Sequence, residues 1–357
     1  MSARAPSLDE VRWGILGCGA VTEVKSGPAL QRAPGSRLVA VMRRDGDGAA
    51  DYARRHGVPR WYDDAERLVA DPEVNAVYIA TPPGTHLQYA RLACAHRKPA
   101  YVEKPMARNH AECLRMVEVF QTAQVPLFVA YYRRALPRFL KARELLRARA
   151  VGRITGIACR FSGDYRQKLV PGTALPWRLR AEESGGGLLL DLGCHTLDAL
   201  DFLLGPLQGI SGAAANVASP YEVEDTVVMH FRVESGALGT ARWNFAANAR
   251  ADEIVIEGED GEVRLTTFGD EPLELRLVSG TQRFAIPNPP HIQEPMIAAV
   301  VGDLRGGERC ESTGLSAART QAVMDAVLDG YYGGRDRDFW SDPASWPGRR
   351  RRPEATR

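Results

Sequence analysis

A glycine-rich turn between two apolar segments limits the folds that this chain can adopt. Residues 11–16 form an apolar run that ends in Gly17-Cys18-Gly19, and a helix-like segment then leads to a second apolar run at residues 37–42. Strand, glycine turn, helix and strand in a unit of about thirty residues is the arrangement required for dinucleotide binding. Gly17 would permit the tight turn, and Gly19 would let the backbone, with Ala20 and Val21, approach a pyrophosphate at the helix start. Taken alone, such a motif is also compatible with an ordinary turn.

The residues after the second strand indicate which dinucleotide binds. A carboxylate there would bond both ribose hydroxyls of NAD and repel a 2′-phosphate. Here Arg43 and Arg44 follow the strand, and the first acid is Asp45. Because guanidinium groups bind phosphate bidentately, the pattern favours NADP(H). In the alternative, NAD is the cofactor, the two arginines are surface residues and Asp45 holds the ribose.

Two further strand–helix units follow and complete the nucleotide-binding half. An apolar strand at residues 74–80 runs into a loop containing Thr81, Pro82 and His86, which we expect to touch the nicotinamide side of the cofactor. Helices at about 86–96 and 110–124 alternate with strands at 100–103 and 127–130. Five or six strands alternating with helices predict an α/β Rossmann-type doubly wound parallel sheet over residues 9–131.

Polar side chains stand where two of these strands end. Glu103 and Lys104 close one strand and precede Pro105, and Tyr132 with Arg133 follows the last strand. Open α/β sheets bind ligands at the carboxyl ends of their strands. Lys104 is therefore a candidate for contact with cofactor and substrate, and Glu103 is a candidate cofactor contact.

The pattern changes after about residue 153. Alternating runs separated by turn residues, such as Glu234-Ser235-Gly236, predict antiparallel hairpins. We expect an α+β domain over residues 132–335 with an open, mostly antiparallel sheet of about six strands and helices on one face. A subunit partner is expected on the other face. Residues 336–357 are interpreted as a C-terminal tail.

The run Gly185-Gly186-Gly187 introduces the most informative segment of this second half. A predicted helix follows, with Asp191 and His195 at i and i+4 on one face. An acid one turn from a histidine can set its tautomer, and a histidine that titrates near neutrality suits proton exchange with a hydroxyl or carbonyl. The alternative is a histidine satisfied inside a domain contact. Asp198 completes no ligand set at a readable spacing, so no metal is predicted.

Composition and charge argue against other classes. A chain of 357 residues with formal charge +2 predicts two domains and no general affinity for nucleic acid or membrane. The basic run at residues 349–352 is interpreted as a solvated tail. Six cysteines without a CxxC pair predict reduced thiols in a cytoplasmic protein, and no apolar run reaches the length of about 18 residues that suggests a membrane span.

Together these segments resemble the glucose–fructose oxidoreductase, inositol dehydrogenase and MocA (Gfo/Idh/MocA) family. The resemblance spans residues 11 to about 328, and its order and spacing are more specific than any single motif. Thr22 in place of the third glycine and Pro83 in place of a common asparagine depart from the family pattern. The motifs are Gly17-x-Gly19, Thr81-Pro82 with His86, Glu103-Lys104-Pro105, and the glycine run followed by Asp191, Gly193 and His195.

The resemblance implies an NAD(P)-dependent oxidoreductase acting on a sugar or cyclitol, including reduction of a ketose or anhydro-sugar, in a homodimer or homotetramer formed through the open sheet. It also implies that Lys104 and His195 are the catalytic pair, with Asp191 supporting His195. The peptide bond that corresponds to Lys104–Pro105 is often cis in this family.

Aromatic faces stack on sugar rings and arginines bond their hydroxyls, so Trp177, Arg178, Tyr132 and Arg133 are candidates for the substrate wall. Packing and surface charge are the alternative roles for these four. Two other functions remain open: a trans-dihydrodiol dehydrogenase and a dinucleotide-binding regulator without catalysis.

Overall fold

The computed structural model describes residues 7–349, which form two compact units. The nucleotide unit comprises residues up to 107, 111–137 and 288–318, and the sheet unit comprises 108–110, 138–287 and the residues from 319 onward. The chain thus enters the nucleotide unit again after the sheet has formed. Residues 288–318, which follow the predicted boundary at 131, belong to this first unit.

A six-stranded parallel sheet organises the nucleotide unit, in the order β3-β2-β1-β4-β5-β6. Strand order reverses between β1 and β4, and ligands of such sheets bind at the carboxyl ends of the strands where this reversal occurs. β3 is three residues long with Trp61 exposed, so no apolar run reveals it in the sequence. The strands are β1 (Val11–Leu16), β2 (Ser36–Met42), β3 (Arg60–Tyr62), β4 (Ala76–Ile79), β5 (Ala100–Val102) and β6 (Leu127–Val129).

The helix after β2 begins and ends at residues that are typical of helix ends. Asp45 caps one helix by accepting a hydrogen bond from Gly48 N, and Gly57 ends that helix in the left-handed conformation. The helices are α1 (Ala20–Val24), α2 (Gly27–Arg32), α3 (Gly46–His56), α4 (Ala65–Ala70), α5 (His86–Ala95), α6 (His110–Ala123), α7 (Pro137–Arg147), α8 (Ala181–Ser184), α9 (Cys194–Leu204), α10 (Glu294–Leu304) and α11 (Gly314–Tyr332).

The sheet unit contains eight strands rather than about six, in the order β14-β13-β12-β11-β7-β10-β9-β8. Neighbours are antiparallel except β7 and β10, which are parallel. β8 is rich in glycine and alanine and mostly exposed, so it lacks the apolar alternation that marks a strand. The strands are β7 (Ile154–Asp164), β8 (Gln208–Ala215), β9 (Thr226–Arg232), β10 (Leu238–Asn244), β11 (Ala246–Gly258), β12 (Gly261–Leu265), β13 (Leu273–Leu277) and β14 (Gly280–Phe284).

Side chains of the central strands alternate between a buried and an exposed face. Phe231 and Trp243 lie in the core, whereas His230 and Arg242 are exposed on the other face. Apolar residues on one face and charged residues on the other explain the period-two pattern of the sequence.

Among residues 7–349, no helix is both long and apolar enough to cross a membrane. Within the basic run predicted to be a solvated tail, Arg349 contacts Glu222, and residues 350–352 lie outside the described residues.

Candidate active site

The glycine turn after β1 has the geometry that dinucleotide binding requires. Gly17 has φ +90°, and a Cβ at this position would lie 2.6 Å from Thr81 Cγ2. The N–H groups of Gly17 and Cys18 donate to Met42 O at 2.9 and 3.1 Å, which ties the start of the turn to the end of β2. A Cβ on Gly19 would meet only Gly17 O, at 3.9 Å. The protein leaves this space open, so Gly19 fits the close approach of a pyrophosphate.

Thr22, in place of the third glycine, strengthens this turn. Its buried hydroxyl donates to Gly19 O at 2.8 Å, and its own carbonyl accepts from the Tyr52 hydroxyl at 2.9 Å. Ala20 and Val21 form the first turn of α1, with Ala20 exposed. The departure from glycine therefore adds a hydrogen bond to the turn.

Exposed arginines follow β2, as the NADP(H) prediction requires. Arg43 and Arg44 are both exposed, and Arg43 Nε lies 3.9 Å from Asp45 Oδ2. An ion pair so long and so exposed contributes little stability, so Arg43 can reorient toward a phosphate at small cost. Asp45 meanwhile caps α3 through Gly48 N at 3.3 Å.

The loop after β4 is tied to the segment that carries the lysine. His86 is fully buried, with Nε2 2.8 Å from Thr81 O and Nδ1 3.2 Å from Met106 O. Burial lowers the pKa of His86, which favours the neutral ring. Pro82 precedes a short 3₁₀ turn that begins at Pro83, where a proline offers no side-chain donor. His86 thus links the two loops in which cofactor contacts are predicted.

Lys104 stands at the carboxyl end of β5, half-buried, and the Lys104–Pro105 bond is cis. Glu103 beside it is buried, and its Oε2 accepts from Lys104 N at 3.1 Å. Tyr132 and Arg133 are buried in a 3₁₀ turn after β6, with the Arg133 guanidinium 5.0 Å from the Tyr132 ring centre. Arg133 therefore packs on an aromatic face in the nucleotide unit.

In the sheet unit, His195 lies in the first turn of α9. The imidazole is buried and meets the ring of Phe268 edge to face, with centroids 5.7 Å apart. Asp191 lies in a π-helical turn, Leu189–Gly193, that precedes the α-helix. The expectation that Asp191 and His195 share one regular α-helix is therefore wrong, because the glycine run leads into a wider turn. Such π-turns occur frequently at functional sites.

Asp191 pairs with Arg178, which in turn packs on Trp177, the other residue of this unit predicted to contact the substrate. Its Oδ2 lies 3.0 Å from Arg178 Nε, and the Arg178 guanidinium lies 4.5 Å from the Trp177 ring centre. The structure thus brings an aromatic face, a guanidinium and a carboxylate together on the segment that leads to His195.

The glycine run is required by its surroundings. A Cβ on Gly185 would collide with the backbone of Arg108, and one on Gly187 with that of Glu224. Glu224 is fully buried, accepts from Gly187 N at 2.9 and 3.0 Å, and receives the Tyr332 hydroxyl. Burial raises the pKa of Glu224, and the hydrogen bond from Tyr332 opposes this. These contacts fix the backbone of the glycine run just before the π-turn.

The sheet unit contains a cavity of about 440 Å³ close to the aromatic residues that pack near His195. The Phe161 ring, which lines the cavity, lies 5.3 Å from the Phe268 ring that touches His195. Burial, and then the charges of Asp191 and Asp252, raise the pKa of Tyr165, so its hydroxyl is a donor at neutral pH. Polar and aromatic side chains share the lining, among them Phe161, Tyr165, Lys168, Arg250, Asp252 and Glu271.

Sequence reasoning missed several residues of this region. Asp252 accepts backbone N–H groups of Thr267, Phe268 and Gly269 at 2.7 to 3.0 Å and so holds the loop carrying Phe268. No local signal reveals this contact, because the partners are brought together only by pairing of distant strands. Among residues 7–349, no cluster of three or more His, Cys, Asp or Glu side chains could hold a metal ion.

Two family models together match most of the chain. Residues 11–131 match the family model described as oxidoreductase family, NAD-binding Rossmann fold, and residues 139–264 match the GFO/IDH/MocA C-terminal domain. Oxidoreductase P35 of Formosa agariphila is 38% identical over 317 residues, covering 88% of this chain and 97% of the relative.

Two other similar proteins carry more specific names. Trans-1,2-dihydrobenzene-1,2-diol dehydrogenase of Danio rerio is 27% identical over 328 residues, covering 89% of this chain and 93% of the relative. A levoglucosan dehydrogenase solved in complex with NADH has a TM-score of 0.79 at 21% identity, covering 90% of this chain and 96% of that chain. The latter likeness is one of fold.

Proposed function

The chain belongs to the Gfo/Idh/MocA family of NAD(P)-dependent oxidoreductases, and on that premise we propose that it transfers a hydride between nicotinamide C4 of NADP(H) and a hydroxyl or carbonyl carbon of a sugar or cyclitol. The substrate class is supported by the contacts of Arg178 with Trp177 and with Asp191, on the segment leading to His195. An aromatic face stacks on the apolar side of a sugar ring, and charged groups bond its hydroxyls.

Each catalytic residue has a role that follows from its chemistry. The bound nicotinamide supplies or accepts the hydride. Lys104, as an ammonium, donates a hydrogen bond to the reacting oxygen and stabilises the charge that develops there. His195 gives the proton to that oxygen in reduction and takes it in oxidation. Asp191 orients substrate and supports His195 from the π-turn.

Further residues complete the proposed binding sites. Tyr132 and Arg133 are further candidates for substrate contacts, and the cavity lined by Tyr165 and Arg250 is a candidate pocket for the sugar. Its 440 Å³ is within the range of pockets for small ligands. The cofactor contacts are Gly17, Gly19, Ala20, Val21, Arg43, Arg44, Thr81, Pro82, His86, Glu103 and Lys104.

A substrate panel tests the function directly. Turnover of the purified protein is measured with ketoses, anhydro-sugars, cyclitols and trans-dihydrodiols of aromatic compounds, each with both nicotinamide cofactors. We expect the highest kcat/KM with a polyhydroxylated ring or ketose. The likeness to a dihydrodiol dehydrogenase supports a second candidate function, oxidation of trans-dihydrodiols, which is favoured if only the dihydrodiols react. Dinucleotide binding without turnover of any compound would support the regulator instead.

Cofactor preference provides a separate prediction. Arg43→Ala should raise KM for NADPH about 10-fold or more and leave KM for NADH nearly unchanged, because one charge-assisted bond to the 2′-phosphate contributes about 1.5–3 kcal/mol. Arg54→Ala is a matched control, since Arg54 is also exposed but pairs with Asp51 on α3. A wild-type preference for NADH, or equal effects on both cofactors, would refute the assignment.

The exposed sheet face and the cysteines bear on assembly and location. The exposed face of the eight-stranded sheet carries Val228 and Leu238 among charged residues, which supports a homodimer or homotetramer formed there. Sedimentation as a monomer at micromolar concentration would contradict it. Six free, buried cysteines support a cytoplasmic location. We assign cofactor binding to residues 9–131, substrate binding and assembly to 132–335, and no catalytic role to the tail at 336–357.

A further inference from the structure

Glu103 in the nucleotide unit is a buried carboxylate bonded by three donors. Its Oε1 accepts from the Tyr78 hydroxyl at 2.5 Å and from Gln293 Nε2 at 2.6 Å, while Oε2 accepts from Lys104 N at 3.1 Å. Glu103 is 7% exposed, and Tyr78 and Gln293 are 0% and 1% exposed. A buried charge is tolerated only when donors replace water, so the three bonds restrict this carboxylate to one orientation.

A second layer of contacts holds the two side-chain donors. The Tyr78 hydroxyl lies 3.1 Å from Ser26 Oγ, which donates to Val21 O at 3.3 Å. Gln293 Oε1 accepts from the Tyr101 hydroxyl at 3.1 Å, and the rings of Tyr78 and Tyr101 stack with centroids 5.1 Å apart. Because Gln293 Oε1 is occupied by a donor, its amide nitrogen must face Glu103. The amide therefore has one defined orientation.

The network connects three distant parts of the sequence. Tyr78 lies on β4, Glu103 follows β5, and Gln293 precedes α10 in the segment that returns from the sheet unit. An apolar core at these positions would provide equal packing without the cost of burying a carboxylate, a phenol and an amide. Burial and the adjacent Glu103 charge raise the pKa of Tyr78 well above its ordinary value, so it remains a donor.

We propose that Tyr78 and Gln293 are positioning residues for hydride transfer, because they orient the Glu103 carboxylate, which in turn holds the backbone N–H of Lys104. Because this hydrogen bond fixes the backbone at Lys104, it also fixes the point from which the Lys104 side chain extends. A displacement of about 1 Å in a reacting group can lower the rate about 100-fold. This inference rests on the proposed function, in which Lys104 binds the reacting oxygen.

Two variants remove one donor each without adding bulk: Tyr78→Phe and Gln293→Met. We expect each to lower kcat about 10- to 100-fold, while the Kd for NADPH, measured by fluorescence titration, changes by a smaller factor because most of the cofactor contacts are unaltered. The primary isotope effect with 4-deuterated cofactor should rise, because hydride transfer is the step that is slowed. The double variant should lose less than the product of the single losses, since both act through Glu103.

Tyr62→Phe is the matched control, because it removes a hydroxyl bonded to Asp71 at 3.0 Å in the same unit. It should keep the wild-type kcat and isotope effect. The inference is overturned if Lys104→Met is inactive but Tyr78→Phe and Gln293→Met both keep the wild-type kcat. It is also overturned if the losses in the double variant are strictly multiplicative. If Lys104→Met is itself active, the proposed function fails instead. Should Gln293→Met not fold, Tyr78→Phe decides alone by the same kcat and isotope readouts.

Discussion

Replacing Lys104 with methionine should lower kcat by at least about 100-fold while NADPH still binds. Methionine keeps an unbranched, flexible stem but carries no charge and no donor. The hydrogen bond from the ammonium to the reacting oxygen strengthens as charge develops, so its loss raises the barrier more than it weakens binding. Lys104 is half-buried at the end of β5, where partial exclusion of water increases the value of such a charge.

Steady-state kinetics and cofactor titration together test this expectation. Lys98→Met is a matched control, since Lys98 is also half-buried in the nucleotide unit but donates to Asp71 O at 2.7 Å, before β5 rather than after it. We expect kcat near the wild-type value for this control. Turnover within a few-fold of wild type in Lys104→Met would show that the lysine is not the electrophile.

Replacing His195 with asparagine should also lower kcat by at least about 100-fold. Asparagine retains a polar group near the ring position but cannot exchange a proton near neutral pH. His195 is buried against Phe268 at the start of α9, but Asp252 rather than His195 holds the loop that carries Phe268, so we expect this loop to stay in place. The lost rate therefore reports proton transfer rather than loss of the fold.

The pH dependence separates these two explanations. If His195 exchanges the proton, His195→Asn should remove one limb of the wild-type pH profile of kcat/KM. His230→Asn provides the control, because His230 is exposed on β9 of the same unit. An unchanged pH limb in His195→Asn would assign the proton transfer to another group, and near-normal turnover would remove His195 from the mechanism.

Elements with a strong local signal could be predicted from the sequence. Gly17 and Gly19 follow an apolar run, and the structure places a tight turn and an open space there. The weak elements could not be predicted, because β3 is too short and β8 too poor in large apolar residues to show a period. Their pairing is determined by neighbouring strands, since backbone groups at a sheet position must find partners regardless of side chain.

The candidate site divides in the same way. Lys104, Asp191 and His195 could be proposed from the sequence because residue type and motif spacing are local properties. The sequence also predicted that Asp191 and His195 share one helix, whereas the structure places Asp191 in a π-turn, where it pairs with Arg178. Gly187, two residues before this turn, donates to the buried Glu224, and no local pattern reveals a contact between residues so far apart in the sequence.

The sequence by itself therefore determined the nucleotide-binding sheet, the open second sheet and the residue types available for chemistry, because periodicity and turn residues act over short distances. Only the tertiary structure decided which groups orient them. Tyr78 and Gln293 are separated along the chain from Glu103, yet both donate to one of its oxygens. A buried carboxylate selects its donors by position in space, and that position depends on how the whole unit packs.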